Sequence, residues 1–209
     1  MRDDETGSFW QQINGKAVSG PLAGRQLKLI STEELSFALW RTENPRGTVL
    51  QPVAEFRKWY ELKDWEKQMA KAPSIIDTRK TGVEPRTLMI GVEVGGASRA
   101  YPVPRVLEQK VVQDRIAGKG IIVVAGPDGK SVRAFLTQMD GVAPDIEFYR
   151  KPEGSPGFLM DSATASEWDF KGCAVSGPAA GRCLQPVRTI SDYWFDWQIY
   201  HPRTTVYKR

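Results

Sequence analysis

Apolar and polar positions change period several times along this chain, and each change marks an expected element. Phe9-Trp10, residues 16–19 and residues 26–30 are short apolar or alternating runs around the helix-breaking G-P-L-A-G of 20–24, a pattern that predicts strand, turn, strand. Ser31-Thr32-Glu33-Glu34 then reads as a capping box opening a helix, with Leu35, Leu39 and Trp40 on one face and Asn44-Pro45 as its stop. Residues 48–50 are expected to form a closing strand. Aromatic residues at helical spacings (Phe56, Trp59, Tyr60, Trp65) make 51–72 a helical connector, followed by a basic linker over 73–85. From 87 the text predicts a hairpin through Gly95-Gly96, a short helix over 104–110, and strands at 110–116, 121–124 and 132–136. Residues 141–157 are polar and proline-rich and are read as loop. Ser191 is placed as the cap of a last helix bearing Trp194 and Trp197, stopped by His201-Pro202 and followed by a strand over 204–207. The sum is an α+β fold, mostly antiparallel β-sheet with short helices.

The opening of the chain and its last quarter carry the same text. G-K-A-V-S-G-P-L-A-G-R and G-C-A-V-S-G-P-A-A-G-R align so that Gly15 pairs with Gly172, Pro21 with Pro178 and Arg25 with Arg182. The same offset pairs Trp40 with Trp197, Pro45 with Pro202 and Val49 with Val206. Upstream, Asp3, Thr6, Ser8 and Trp10 match Asp161, Thr164, Ser166 and Trp168 after one dropped residue. Shared tryptophans, prolines and glycines at constant spacing read as an internal repeat. The expected organisation is residues 1–51 as the C-terminal half of a repeat unit, 52–86 as connector and linker, and 87–209 as a complete unit.

Composition narrows the function classes. Hydrophobic residues at 41% and charged residues at 26% suit a soluble globular core. No apolar run approaches the ~18 residues of a membrane span, and M-R-D-D-E-T lacks the pattern of a signal peptide. The net charge of +4 comes from scattered basic residues, so a solvated surface is expected and nucleic-acid binding is not. Two cysteines, Cys173 and Cys183, flank a Gly-Pro turn; hairpin geometry allows a disulfide, and two small buried thiols are the other reading.

Several motifs together carry a family resemblance. G-V-E-V-G-G-A-S-R-A-Y-P, V-V-Q-D-R-I-A-G-K, D-S-A-T-A-S-E-W, G-C-A-V-S-G-P-A-A-G-R-C-L and W-F-D-W-Q-I-Y-H-P-R-T-T-V stand in order across 87–209. The chain resembles the bacterial and archaeal family filed as domain of unknown function 3179, and the first copy resembles its last third. The resemblance implies a His-Glu pair where this chain has Gln109-Lys110, and C-P-x-C where it has Gly126-Pro127-Asp128-Gly129. Imidazole and thiolates bind borderline metals or exchange disulfides, and glycine does neither. Of that set His201 is retained, with Asn44 at its place in the first copy.

The candidate ligand-binding residues are Asp161, Thr164, Ser166, Arg182 and His201. Asp161, Thr164 and Ser166 read either as a turn whose side chains bond backbone amides or as a carboxylate-and-hydroxyl ligand site. Asp161, Ser166 and His201 also permit a nucleophile triad, which only geometry can establish. His201 alternatively caps its helix. Arg25, Arg99 and Arg182 suit ion pairs with Asp3 or Asp161, or an anion. No catalytic residue, metal site or cofactor is assigned.

The leading expectation is a non-catalytic binding or scaffolding protein. It would contact a protein partner, or itself, through the N-terminal half-unit. One alternative is a truncated part of a longer extracytoplasmic metal-binding or thiol-redox protein; a weaker one is a hydrolase using Asp161, Ser166 and His201. Localisation follows the same fork, extracytoplasmic for a piece of a secreted protein and cytoplasmic if Met1 is the true start.

Overall fold

The computed structural model describes residues 1–28, 30, 33–60, 64–74, 76, 78, 81–139, 146–152 and 157–208. It comprises two compact units, Met1–Thr32 and Glu33–Arg209. In the first, β1 (Phe9–Trp10) pairs antiparallel with β2 (Ala17–Ser19). Among the described residues of the strand expected over 26–30, Gln26 forms an isolated bridge with Lys16. Gly20 adopts φ +92°, and a Cβ there would lie 2.6 Å from Ser8 Cα. Only glycine suits both demands, which accounts for the S-G-P turn.

The second unit begins with α1 (Phe37–Glu43). Its N-cap is Ser36, whose hydroxyl accepts from Leu39 N; Ser31 and Thr32 of the expected capping box lie outside the described residues. A 3₁₀ turn (Ala54–Phe56), α2 (Arg57–Tyr60) and α3 (Trp65–Lys71) form the connector. The expected strand over 48–50 does not form. In the expected linker, Trp194 Nε1 donates to Thr81 Oγ1, and Phe195 N to Pro85 O.

The hairpin of 87–102 forms as expected. β3 (Leu88–Val94) turns through Gly95 and Gly96, at φ 58° and 78°, into β4 (Ala97–Pro102). Then follow α4 (Val103–Gln109), β5 (Val111–Ile116), β6 (Lys119–Ala125) and β7 (Val132–Leu136). Within the region expected as loop lies β8 (Phe148–Arg150), while 140–145 and 153–156 lie outside the described residues. The chain closes with β9 (Leu159–Asp161), β10 (Glu167–Trp168), β11 (Ala174–Ser176), β12 (Thr189–Tyr193), α5 (Trp194–Tyr200) and β13 (Thr205–Val206). Ser191 does not cap α5. It pairs with Ile90 inside β12, so the ladder to β3 commits its backbone and Tyr193 becomes the N-cap residue.

Three sheets stack in this unit, ordered β12-β3-β4-β13, β5-β6-β7 and β11-β10-β9-β8. Among the described residues these pairings are antiparallel except β13 with β4. The run I-I-V-V-A of β6 is buried on both faces. Ile121 and Val123 pack with Val92, Tyr101 and Val106 on one side, and Ile122 and Val124 with Phe148, Leu159 and Trp168 on the other. A continuous apolar run rather than an alternating one is what a central layer needs. On the outer face of β3 and β4, α5 buries Trp194 and Trp197 against Met89 and Ala100. Gly91 admits Trp197 to the sheet: a Cβ would sit 2.3 Å from the indole.

Candidate functional site

Asp161, Thr164 and Ser166 come together where β9 turns into β10. Asp161 Oδ1 accepts from Ala163 N (3.0 Å) and Thr164 N (2.5 Å). Oδ2 accepts from Ser166 N (3.1 Å), Trp168 Nε1 (2.9 Å) and Thr164 Oγ1 (2.8 Å). Ser166 Oγ lies 2.6 Å from Thr164 Oγ1 and accepts from Ala179 N at 2.8 Å. Ser166 donating to Thr164, and Thr164 to Asp161, places every proton. Burial pushes the Asp161 pKa up, but the hydrogen bonds from Trp168 and Thr164 outweigh it and hold the carboxyl below its ordinary value. Asp161 and Ser166 are buried at 1% and 0% exposure.

The first unit makes the same arrangement. Asp3 accepts from Thr6 N (2.6 Å), Thr6 Oγ1 (2.8 Å) and Trp10 Nε1 (2.8 Å), and Leu22 N donates to Ser8 Oγ (3.1 Å). The Trp10 bond, with those from Thr6, holds Asp3 at a pKa of about 2. In both places the carboxylate is held by amide, indole and hydroxyl donors. Of the three arginines expected to pair with such carboxylates (Arg25, Arg99 and Arg182), Arg99 pairs with a different one.

That pairing is Arg99 with Asp114. Arg99 Nη1 lies 2.6 Å from both carboxylate oxygens, its Nε donates to Thr205 Oγ1 at 2.9 Å, and Tyr101 OH donates to Asp114 Oδ2 at 2.7 Å. Burial, then the bond to Asp114, raises the Tyr101 pKa. Arg99 borders two clefts. One, of about 580 Å³, adds Gln113, Asp114, Arg115, Glu147 and Lys208. The other, of about 500 Å³, adds Glu93, Ser98, His201, Arg203 and Thr205. Arg182 lines a third, of about 560 Å³, with Lys119, Gln138, Cys183 and Gln185. Cys173 and Cys183 form a disulfide across the β11 hairpin.

His201 thus lies apart from Ser166, at the C-terminal end of α5. Its ring stacks on Trp197 at 3.6 Å, Nδ1 is 3.2 Å from Trp197 O, and Nε2 is 3.3 Å from Glu93 Oε1. A capping position on one of the last helical carbonyls is the role expected of an imidazole there. Beside it, burial and the negative charge of Asp196 raise the Asp192 pKa to about 6. Asp196 is raised by burial. These two carboxylates replace Leu35 and Leu39 of the first copy, the one signal in the sequence that pointed to them.

The sign of the Asp192 effect follows from linkage. A folded pKa above the unfolded one means the folded state binds the extra proton, so stability falls as pH rises from about 4 to about 6. Asp192→Asn removes the ionised form. It is expected to raise the melting temperature at pH 8 and to leave it unchanged near pH 3.5. An equal shift at both pH values would show that its carboxylate does not titrate in this way.

The positions that the resemblance singles out are adjacent in space. Ala125 N donates to Lys110 O at 2.9 Å, which sets Gln109 and Lys110 beside the 126–129 turn. Tyr207 OH donates to Gln109 Oε1, and Asp128 accepts from Lys130 N, Ser131 N and Ser131 Oγ. A Cβ at Gly126 would meet Asp128 Oδ1 at 2.9 Å and the Phe170 ring at 3.1 Å. The donor set present (amide, ammonium and a carboxylate occupied with its own turn) does not fit a soft metal or a dithiol. Among the described residues no group of three or more His, Cys, Asp or Glu is arranged to hold a metal ion. No helix among them is long and apolar enough to cross a membrane.

The model of a family described as protein of unknown function (DUF3179) matches residues 1–204. No curated protein and no solved structure matches the chain.

Proposed function

The chain belongs to the DUF3179 family, and from that premise we propose that it is a non-catalytic binding protein whose ligand is another polypeptide. The carrying observation is the apolar surface along the first stretch of the second unit. Phe37, Val49, Leu50, Phe56 and Trp65 are exposed, Leu50 at 96%. Exposed apolar side chains that join into one patch mark protein-interaction surfaces, and this stretch is read as supplying such a patch. The polar side chains best suited to chemistry are engaged with one another: Ser166 with Thr164, Arg99 with Asp114, and His201 with Trp197 and Glu93.

Fluorescence of the apolar dye bis-ANS tests the surface. The native chain is expected to bind dye while its near-ultraviolet circular dichroism shows fixed tertiary packing. Phe37→Ser combined with Leu50→Ser is expected to remove most of the dye signal with the melting temperature unchanged, since both side chains are exposed. A native chain that binds no dye overturns the reading.

A further inference from the structure

Two segments of the second unit share one local structure and differ in what covers them. α1 and α5 each span seven residues and end on nearly identical backbone, φ −127° and ψ 67° at Asn44 against φ −125° and ψ 64° at His201. Asn44 Nδ2 donates to Trp40 O at 3.0 Å, where His201 Nδ1 meets Trp197 O at 3.2 Å. The following turns match as well: Gly47 N to Asn44 O and Thr204 N to His201 O are both 2.9 Å.

Beyond those turns the segments part. After Thr204 the chain becomes β13, parallel to β4, with Thr205 opposite Arg99 and Val206 opposite Ala100. After Gly47 the corresponding residues 48–50 join no strand ladder among the described residues, and Val49 is 61% exposed. The helices differ in the same sense. α5 turns Trp194 and Trp197 onto β3 and β4, with Gly91 beneath the Trp197 indole. α1 instead packs Leu39, with Leu35 just before its cap, on the core around Val124 and Phe135 and holds Glu43 to Arg133. Its Phe37 and Trp40, at the places of Trp194 and Trp197, stack on each other with Phe37 exposed.

We propose that residues 48–50 and the Phe37/Trp40 face of α1 together form the acceptor for a β-hairpin of a separate polypeptide, resembling β3–β4. One of its strands would run parallel to 48–50 and pack on the exposed Phe37 ring and on the part of the Trp40 indole that its own Gly47 leaves uncovered. Main-chain bonds to an unpaired segment supply affinity in such strand addition, and the side-chain pockets supply selectivity. A second copy of this chain cannot donate its own hairpin, because both outer edges of β3–β4 are already taken by β12 and β13. The inference rests on the polypeptide-binding reading and names the partner's chemistry.

The test uses the full chain with Val49→Cys and a backbone-cyclised peptide of residues 88–102, so that the hairpin is preformed. The peptide carries a bromoacetamide at the position of Ala100 or, as control, of Ala97. The Cys thiolate displaces bromide, forming a thioether and releasing bromide ion. The Ala100 peptide is expected to alkylate the chain about tenfold faster than the Ala97 peptide, and Trp40→Ser is expected to abolish the preference. Equal rates for the two peptides overturn the proposal. So does a homodimer of the wild-type chain, seen by sedimentation, that Trp40→Ser dissociates, which would make a second copy the occupant. Equal rates alongside persistent dye binding leave the binding reading standing, whereas loss of both removes both.

Discussion

Replacement of Asp161 by Ala is expected to cost the second unit about 4 kcal/mol or more at pH 7, an exceptional loss for one residue. The reason is what the carboxylate satisfies. Without it, Trp168 Nε1, Thr164 N and Ala163 N lose their acceptor and Ser166 N keeps only the longer bond to Thr164 Oγ1, beside a Trp168 that is fully buried. An unpaired buried donor costs about 1–3 kcal/mol, and the terms are not strictly additive. Asp161→Asn keeps the shape but turns an N–H toward one of these donors, so it recovers only part of the loss. Because the folded pKa is depressed, the stabilisation is complete above the ordinary carboxylate value of 3.8 and is lost as pH falls through the folded value. Urea unfolding should therefore show a wide gap between Asp161→Ala and wild type at pH 7 that narrows in acid. A variant with the wild-type midpoint at pH 7 would show that the cluster does not hold the fold. The same change at Asp3, which is only half-buried, is expected to loosen only the first unit.

Arg133→Ala is expected to release α1. The guanidinium is 5% exposed, bonded to Glu33 through Nε and Nη2 at 2.7 and 2.8 Å and to Glu43 through Nη1 and Nη2 at 2.8 and 2.7 Å, over the Phe170 ring. Removing one member of a buried ionic set leaves the other charge uncompensated, at about 3–5 kcal/mol. Glu43 lies 12% exposed, whereas Glu33 is 54% exposed. Glu33→Gln is therefore expected to cost under about 1 kcal/mol. The bond to Arg133 lowers the Glu43 pKa, so this anchor weakens as pH falls through the carboxylate range. Amide exchange at Trp40 N, bonded to Ser36 O, should accelerate in Arg133→Ala while the β5–β7 amides stay protected. Arg133→Met with Glu43→Leu and Glu33→Gln should return most of the stability, since replacing a whole buried ionic set is near neutral. Failure of Arg133→Ala to alter that exchange would assign the anchoring of α1 to Leu35 and Leu39.

Much of this architecture is legible in the residues. The G-G turn, the strand at 132–136 and the helix ending at His201-Pro202 are local signals, and local chemistry decides them. Ser191 misleads because a capping residue is judged from four residues, while its partner in the sheet, Ile90, is a hundred positions away. Residues 48–50 mislead in the opposite way: their β-propensity is real, and a strand still needs a neighbour. At the candidate site, Asp161, Thr164 and Ser166 were recognisable as a set, but whether such a set faces a ligand or the backbone depends on burial. Arg99, Tyr101 and Asp114 became a unit only when β4 and β5 were brought together, which R-A-Y-P and V-V-Q-D do not announce separately. Asp192 and Asp196 stand out only against the leucines of the first copy.

The order of the sheet β12-β3-β4-β13 governs how the chain reaches its fold. Arg99 and Thr205, bonded across that sheet, are 106 residues apart, and closing so long a loop precedes any reward from the contacts it allows. On the ribosome, β3 and β4 emerge with both flanks bare and stay so until residues 189–206 have been made. That interval is the moment of greatest risk, when an unpaired hairpin can join the wrong chain. A synthesis that stalls before Thr189 should thus yield aggregate rather than a shorter folded protein.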